Sequence, residues 1–209
     1  MQTFRRKSLA ITVVGVIIGV LSLTGAYMMR HQIKGQVMAA QAHREPRPVM
    51  EFPTIDTESF TPNQIKLFDQ LKAEYAKHPV SFDANVLRYT DGVKEPWCAD
   101  FISWNMRELG RPFSNPNSGG WRIPGVYTLR EYYQSTNRWQ AAGTYVPKFG
   151  DAAIYAKTPS QSHVNFVLSV DTGNQTMITI GGNEEGNVKI KTKSYLPPNE
   201  DLAGFGMLE

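Results

Sequence analysis

One cysteine, Cys98, stands in 209 residues. That scarcity excludes a disulfide framework, because no second thiol exists for it to pair with. Histidine is nearly as scarce: beyond residue 57 only His78 and His163 occur. No charge of one sign dominates the folded part. Before residue 58, seven Lys/Arg face three Asp/Glu; from residue 58 onward, fifteen face sixteen. The basic excess belongs to the N-terminal segment, and a nucleic-acid-binding reading loses its main support. No internal repeat is visible.

What the chain does have at its start is an uncharged run of 21 residues, Leu9 to Met29, rich in Ile, Val and Leu and preceded by Arg5-Arg6-Lys7. About 20 apolar residues suffice to span a bilayer, whereas a cleaved signal has a core of roughly 7–15. Tyr27-Met28-Met29 also offers no clean small-x-small cleavage site. The reading is a cytoplasmic n-region over 1–8, a transmembrane signal-anchor over 9–29 and a tether over 30–57 containing Pro46, Pro48 and Pro53. A domain over 58–209 follows, held outside the cytoplasm by a single-pass anchor; secretion after signal cleavage is the alternative. An exported domain commonly pairs its cysteines, so a lone thiol there is a candidate for chemistry.

Within the domain, Thr61-Pro62 reads as a helix start, with an apolar stripe of Ile65, Phe68, Leu71 and Tyr75 ending near His78-Pro79. Pro96 precedes a second helix, in which Phe101, Ile102, Met106 and Leu109 recur at helical spacing before Gly110. Cys98 falls in its first turn, where unpaired N–H groups and the helix dipole favour a thiolate; the plainer reading is a small buried apolar residue. Arg111 to Gly125 reads as a long loop, Thr128 to Gln134 as a short helix. Strands are expected over Ala152–Ala156, His163–Asp171, Met177–Ile180 and Val188–Lys193. Helices first and an antiparallel sheet second give an α+β domain.

His78, beside a proline at a helix end, is explained by capping. His163 opens a strand in which Val164, Phe166, Leu168 and Val170 share one face, leaving His163 and Asn165 on the other. Taken alone, a structural histidine is the simpler reading. Asn183 follows Gly181-Gly182 and by itself reads as a turn residue. Together Cys98, His163 and Asn183 have the chemical types of a thiol triad: a nucleophile, a general base and a group that orients the imidazole.

The segment Pro96-Trp97-Cys98-Ala99-Asp100-Phe101-Ile102-Ser103-Trp104 resembles the nucleophile motif of the CHAP family (cysteine, histidine-dependent amidohydrolases/peptidases). Pro147-Lys148-Phe149-Gly150-Asp151 resembles that family's strand entry, His163-Val164-Asn165-Phe166-Val167 its histidine strand, and Gly181-Gly182-Asn183 its third-residue segment. Four motifs in order over roughly residues 60–207 make the resemblance specific. It implies a papain-like α+β fold and cleavage of an amide in peptidoglycan, at the N-acetylmuramoyl–L-alanine bond or within the peptides. Carried over, Cys98 is the nucleophile, His163 the base and Asn183 the orienting residue. Gly181 stands where some members have a glutamate, and Glu184 stays open as the third residue. Some members bind calcium upstream of the cysteine; Asp91, Gly92 and Asp100 fit that pattern but Tyr89 does not. No metal or cofactor is therefore expected.

Trp97, Trp121 and Asn165 are expected to line the substrate groove, Trp121 competing with a role as a hydrophobic plug under its loop. The function expected is a membrane-anchored peptidoglycan hydrolase working through a thioacyl-enzyme. A catalytically silent or gated wall-binding module and a thiol-dependent acyl transferase are the alternatives, and the activating partner, if there is one, is not legible.

Overall fold

The computed structural model describes residues 50–158, 161–197 and 201–208. The expected membrane span at 9–29, and the tether as far as residue 49, lie outside the described residues. Among the described residues no helix is long and apolar enough to cross a membrane.

The folded unit begins at Met50 rather than at residue 58. The last part of the expected tether is packed on the domain because its aromatic residues outweigh its polar composition. Phe52 meets Phe68 edge-on at 5.6 Å and Tyr75 at 5.9 Å, and Phe60 lies 4.4 Å from Phe149. The Tyr75 hydroxyl donates to the Met50 carbonyl.

Among the described residues, four helices precede the sheet: α1 Pro62–Ala76, α2 Ala84–Tyr89, α3 Cys98–Glu108 and α4 Val126–Ser135. Helix α1 starts as its sequence dictates. Thr61 Oγ1 accepts from Gln64 N at 3.3 Å, and Gln64 Oε1 accepts from Thr61 N at 2.9 Å, a reciprocal cap of about 1 kcal/mol. Its inward face is Leu67, Leu71 and Tyr75, while Ile65, expected inside, is largely exposed. Helix α2 was not evident in the sequence. It is a six-residue helix capped by Asp83, too short to show a periodic stripe.

Six antiparallel strands follow: β1 Trp139–Ala141, β2 Ala152–Thr158, β3 Gln161–Asp171, β4 Thr176–Glu184, β5 Asn187–Ser194 and β6 Leu202–Gly206. Their order in the sheet is β1-β6-β2-β3-β4-β5. The sequence reading found four of them and missed β1 and β6, which are short. The architecture is α+β, as expected. The sheet's alternation feeds two cores. Ile154, Val164, Phe166, Leu168, Ile180 and Ile190 pack with the helices, while Ala153, Tyr155, Val167, Met177, Leu202 and Phe205 form a second cluster. Val170, expected to share the first core, packs with the second. The pairing of β3 with β4 slips by one residue between Val167 and Ser169, and such a bulge moves every later side chain to the opposite face.

Asp151, in the expected strand entry, serves the architecture. It accepts from Lys148 N at 2.9 Å, the Tyr145 hydroxyl at 3.0 Å and Leu208 N at 3.1 Å, so it binds the segment that follows β6 to the start of β2.

Candidate active site

Cys98 is the first residue of α3. Trp97 ahead of it holds the N-cap position without donating or accepting a side-chain bond to the helix. The first amides of a helix have no partner within it; uncapped, they leave a set of N–H donors and the positive end of the dipole beside the thiol. The helix is anchored from behind. Gln70 Nε2 of α1 donates to Asn105 Oδ1 at 2.6 Å, and Phe101, Ile102 and Met106 are buried. Burying three such side chains contributes roughly 1.5–3 kcal/mol each, so the helix that carries the nucleophile is a rigid support.

His163 lies near the start of β3, with its side chain about one quarter exposed. Glu184 Oε1 stands 3.0 Å from His163 Nε2, approaching obliquely to the ring N–H. Burial alone would lower the imidazole's pKa. Its contacts with Cys98 and Glu184 outweigh burial and raise it from 6.5 to about 9. Burial likewise opposes the charge on Glu184, but His163, Lys191 and Asn165 hold that carboxyl well below the usual range. The Asn165 amide donates to Glu184 Oε1 at 3.1 Å, and Lys191 Nζ forms an ion pair with Glu184 Oε2. A nearly buried carboxylate is thus held ionised by three groups, two on β3 and one on β5.

Glu184, not Asn183, therefore meets the imidazole. The reason is a bulge. Gly181 pairs with Lys189 in β5 while Glu184 pairs with Asn187, which leaves one extra residue on β4. Asn183 sits in that bulge with a left-handed φ of 59°. In an unbroken strand Asn183 would share the face of Gly181; the extra residue gives that place to Glu184.

Two other expected groove residues are elsewhere. Trp97 is fully buried, stacked on Tyr89 at 5.7 Å and donating through Nε1 to Ser81 Oγ at 3.2 Å. Asn165 is fully buried as well, spending its amide on Glu184 and Thr179. Neither side chain is open to a substrate. Trp121 is half-buried against the main core, with the Arg107 guanidinium 4.2 Å above its ring.

The loop bearing Trp121 is latched to the nucleophile helix. Arg122 Nη1 lies 3.0 Å from Asp100 Oδ1 and also pairs with Glu95. Ile123 N donates to Ser103 Oγ at 3.1 Å. Burial raises the Asp100 pKa to about 7, with Arg122 opposing and Glu95 adding to the rise. Of the residues weighed for calcium, Asp100 is committed to Arg122, and the Tyr89 hydroxyl bonds to Glu74 Oε2 at 2.5 Å. Among the described residues no group of three or more His, Cys, Asp or Glu is placed to hold a metal ion.

A cavity of about 220 Å³ opens beside the pair, lined by Tyr155, Gln161, His163, Glu184, Lys193 and Asp201. Cys98 is only 6% exposed and is not part of that lining. The sequence reading did not single out Lys191 or Lys193. Their signal was the alternation Lys189-x-Lys191-x-Lys193, which on a strand puts three cations on one face.

No curated protein matches this chain. Among solved structures, the crystal structure of Ly7917 is 14% identical, with a TM-score of 0.46 over 69% of this chain and 61% of that one. The crystal structure of Ly7917 with the hydrolyzing product of MDP is also 14% identical, with a TM-score of 0.44 over 68% and 61%. This chain spans about three-fifths of the length of those structures. The family model of the CHAP domain matches residues 89–183, a stretch that runs from the end of α2 through Cys98 and His163 to the bulge before Glu184. On that match, residues 89–183 are similar to the CHAP domain.

Proposed function

We propose that this protein is a peptidoglycan hydrolase that cleaves an amide bond through Cys98, His163 and Glu184. The observation that carries the reading is the series thiol, imidazole, carboxylate: Cys98 and Glu184 both act on His163, and Glu184 is itself held by Asn165 and Lys191. The CHAP match agrees with the substrate class.

The steps follow from the arrangement. An imidazole whose pKa is raised to about 9 is cationic at neutral pH, and an imidazolium beside a thiol favours the thiolate. Cys98 Sγ attacks the carbonyl carbon of the scissile amide. The carbonyl oxygen gains negative charge opposite the uncapped amides of α3, which serve as oxyanion donors. His163 delivers its proton to the departing amine, and the C–N bond breaks to leave a thioacyl-enzyme. Neutral His163 then takes a proton from water, whose oxygen attacks the thioester and releases Cys98. Glu184 keeps the ring oriented throughout and stabilises its cationic form.

One observation favours a gated form of this enzyme. The thiol is nearly buried, and the loop from Arg111 to Gly125 is fastened to α3 by Arg122–Asp100 and Ile123–Ser103. In a gated form, release of these latches would precede substrate entry. The segment 9–29 anchors the protein in a membrane with the domain outside the cytoplasm, and the tether limits its reach to nearby wall. The test is the release of new termini from purified peptidoglycan, compared between the full chain and Cys98→Ser.

A further inference from the structure

Among the described residues, Phe82 is the one large aromatic residue that the fold both strains and exposes. Its φ is 68°, a left-handed conformation that a bulky side chain rarely adopts, and it is 50% exposed. Only about half of the residue is buried, so burial offsets little of that cost. What holds it there is the loop on either side. Ser81 N donates to the Gly186 carbonyl at 2.8 Å, and Ser81 Oγ accepts from Trp97 Nε1 at 3.2 Å. Val80 pairs with Asn187. Gly186 lies two residues past Glu184, and Trp97 immediately precedes Cys98. The loop therefore links the two elements that supply the nucleophile and the orienting carboxylate, and it presents Phe82 and the 53%-exposed Val80 at that junction.

The chemistry of this patch differs from that of the cavity beside His163. The only charge in the loop is Asp83, and both its oxygens are occupied: Oδ1 accepts from Val86 N at 2.8 Å and Oδ2 from Val80 N at 2.9 Å. The exposed side chains of the loop itself, Val80 and Phe82, are uncharged and apolar. The cavity is lined instead by His163, Glu184, Lys193 and Asp201. A charged stem peptide suits the cavity. The uncharged C–H face of a sugar ring suits the face of an aromatic ring, whose negative quadrupole attracts it.

We propose that Phe82 is a substrate-binding residue that stacks against a pyranose ring of the glycan, so that the sugar lies on the Phe82 side of Cys98 and the stem peptide on the His163 side. This rests on the peptidoglycan reading and deepens it: a substrate so placed presents the amide between sugar and peptide to the thiol. The strain at Phe82 is maintained because the ring faces ligand, not core.

The test measures binding to the full chain carrying Cys98→Ala, so that no bond is cleaved. The probes are a disaccharide-pentapeptide and the same pentapeptide without sugar, titrated by calorimetry. Phe82→Gly and Phe82→Ala are expected to weaken the disaccharide-pentapeptide at least tenfold, Phe82→Trp to retain it, and all three to leave the free peptide unchanged. Phe82→Gly is expected to melt at the same or a higher temperature, because glycine accepts the left-handed φ without strain. Undiminished sugar-dependent binding by Phe82→Gly would overturn the proposal and leave the Cys98 chemistry standing. So would a clearly lowered melting temperature of that variant, which would make the ring a structural plug. Failure of the parent to bind either probe would overturn it together with the peptidoglycan reading.

Discussion

Glu184 Oε1 lies 3.0 Å from His163 Nε2, and the residue just before it, Asn183, occupies a bulge with left-handed backbone. The carboxylate and not the amide is the group within reach of the imidazole. Glu184→Gln is expected to lower kcat/KM by about 10²–10⁴, the scale seen when an orienting carboxylate becomes an amide. Asn183→Gly is expected to fold and retain activity within a few-fold, since glycine adopts the same φ freely. Steady-state kinetics of the two variants checks both.

The pH dependence has a defined sign. The His163 pKa is raised from 6.5 to about 9, so its pairing with Glu184 stabilises the fold fully below about 6.5, and that contribution is lost as pH climbs through 9. The Glu184 pKa is lowered from 4.5, so its contribution is present above that value and disappears as acid protonates it. Activity is expected to fall on the alkaline side near pH 9. Lys191→Met removes a positive charge from Glu184, leaves more of the carboxylate's field to the imidazolium and should move that alkaline limb upward. Lys191→Arg should leave it in place. A pH–rate profile that does not move in Lys191→Met would contradict the role given to this ion pair.

Two glycines of β4 are demanded by what crosses them. A methyl group on Gly181 would lie 1.6 Å from Asn165 Oδ1, and one on Gly182 would lie 2.5 Å from the Trp97 ring. Gly182→Ala is expected to destabilise by about 1–3 kcal/mol, the cost of overpacking a filled core, because Trp97 and Phe101 are both buried. Gly181→Ala is expected to displace the Asn165 amide from Glu184 and to cost activity out of proportion to stability. Thermal melts set beside kcat/KM separate the two.

Met50 to Thr57 belong to the domain. A truncation beginning at Glu58 removes Phe52 from Phe68 and Tyr75 and takes away the carbonyl that Tyr75 bonds. It is expected to be less stable by about 1–3 kcal/mol than one beginning at Met50, given a partly buried aromatic residue. Denaturant unfolding of the two would decide it.

How far the sequence could be read depended on where periodicity held. Cys98 and His163 were legible because each stands in a run of regular structure with its own motif, one at a helix start and one at a strand start. The third group was legible only as a choice between Asn183 and Glu184. A single extra residue in β4 exchanges Asn183 for Glu184, and no pattern of period two announces where a strand slips. The same happened in β3, where Val170 changed face. Trp97 was expected in the groove because it adjoins the nucleophile, but an N-cap residue without a side-chain cap is free to turn its ring into the core, and the indole found Tyr89 and Ser81 there. Lys191 acts only through a neighbouring strand, a relation that no local window contains. The tether's end was misjudged for a similar reason, since Phe52 has its partners on α1 and none in its own segment.

The central claim is that Cys98 breaks an amide of peptidoglycan with the help of His163 and Glu184. It is tested most directly by incubating the full chain and Cys98→Ser with purified sacculi and reading the soluble products by mass spectrometry. The account predicts new amine and carboxyl termini from the wild-type chain and none from Cys98→Ser. Equal release from both, or intact sacculi with the wild-type chain folded, would contradict it.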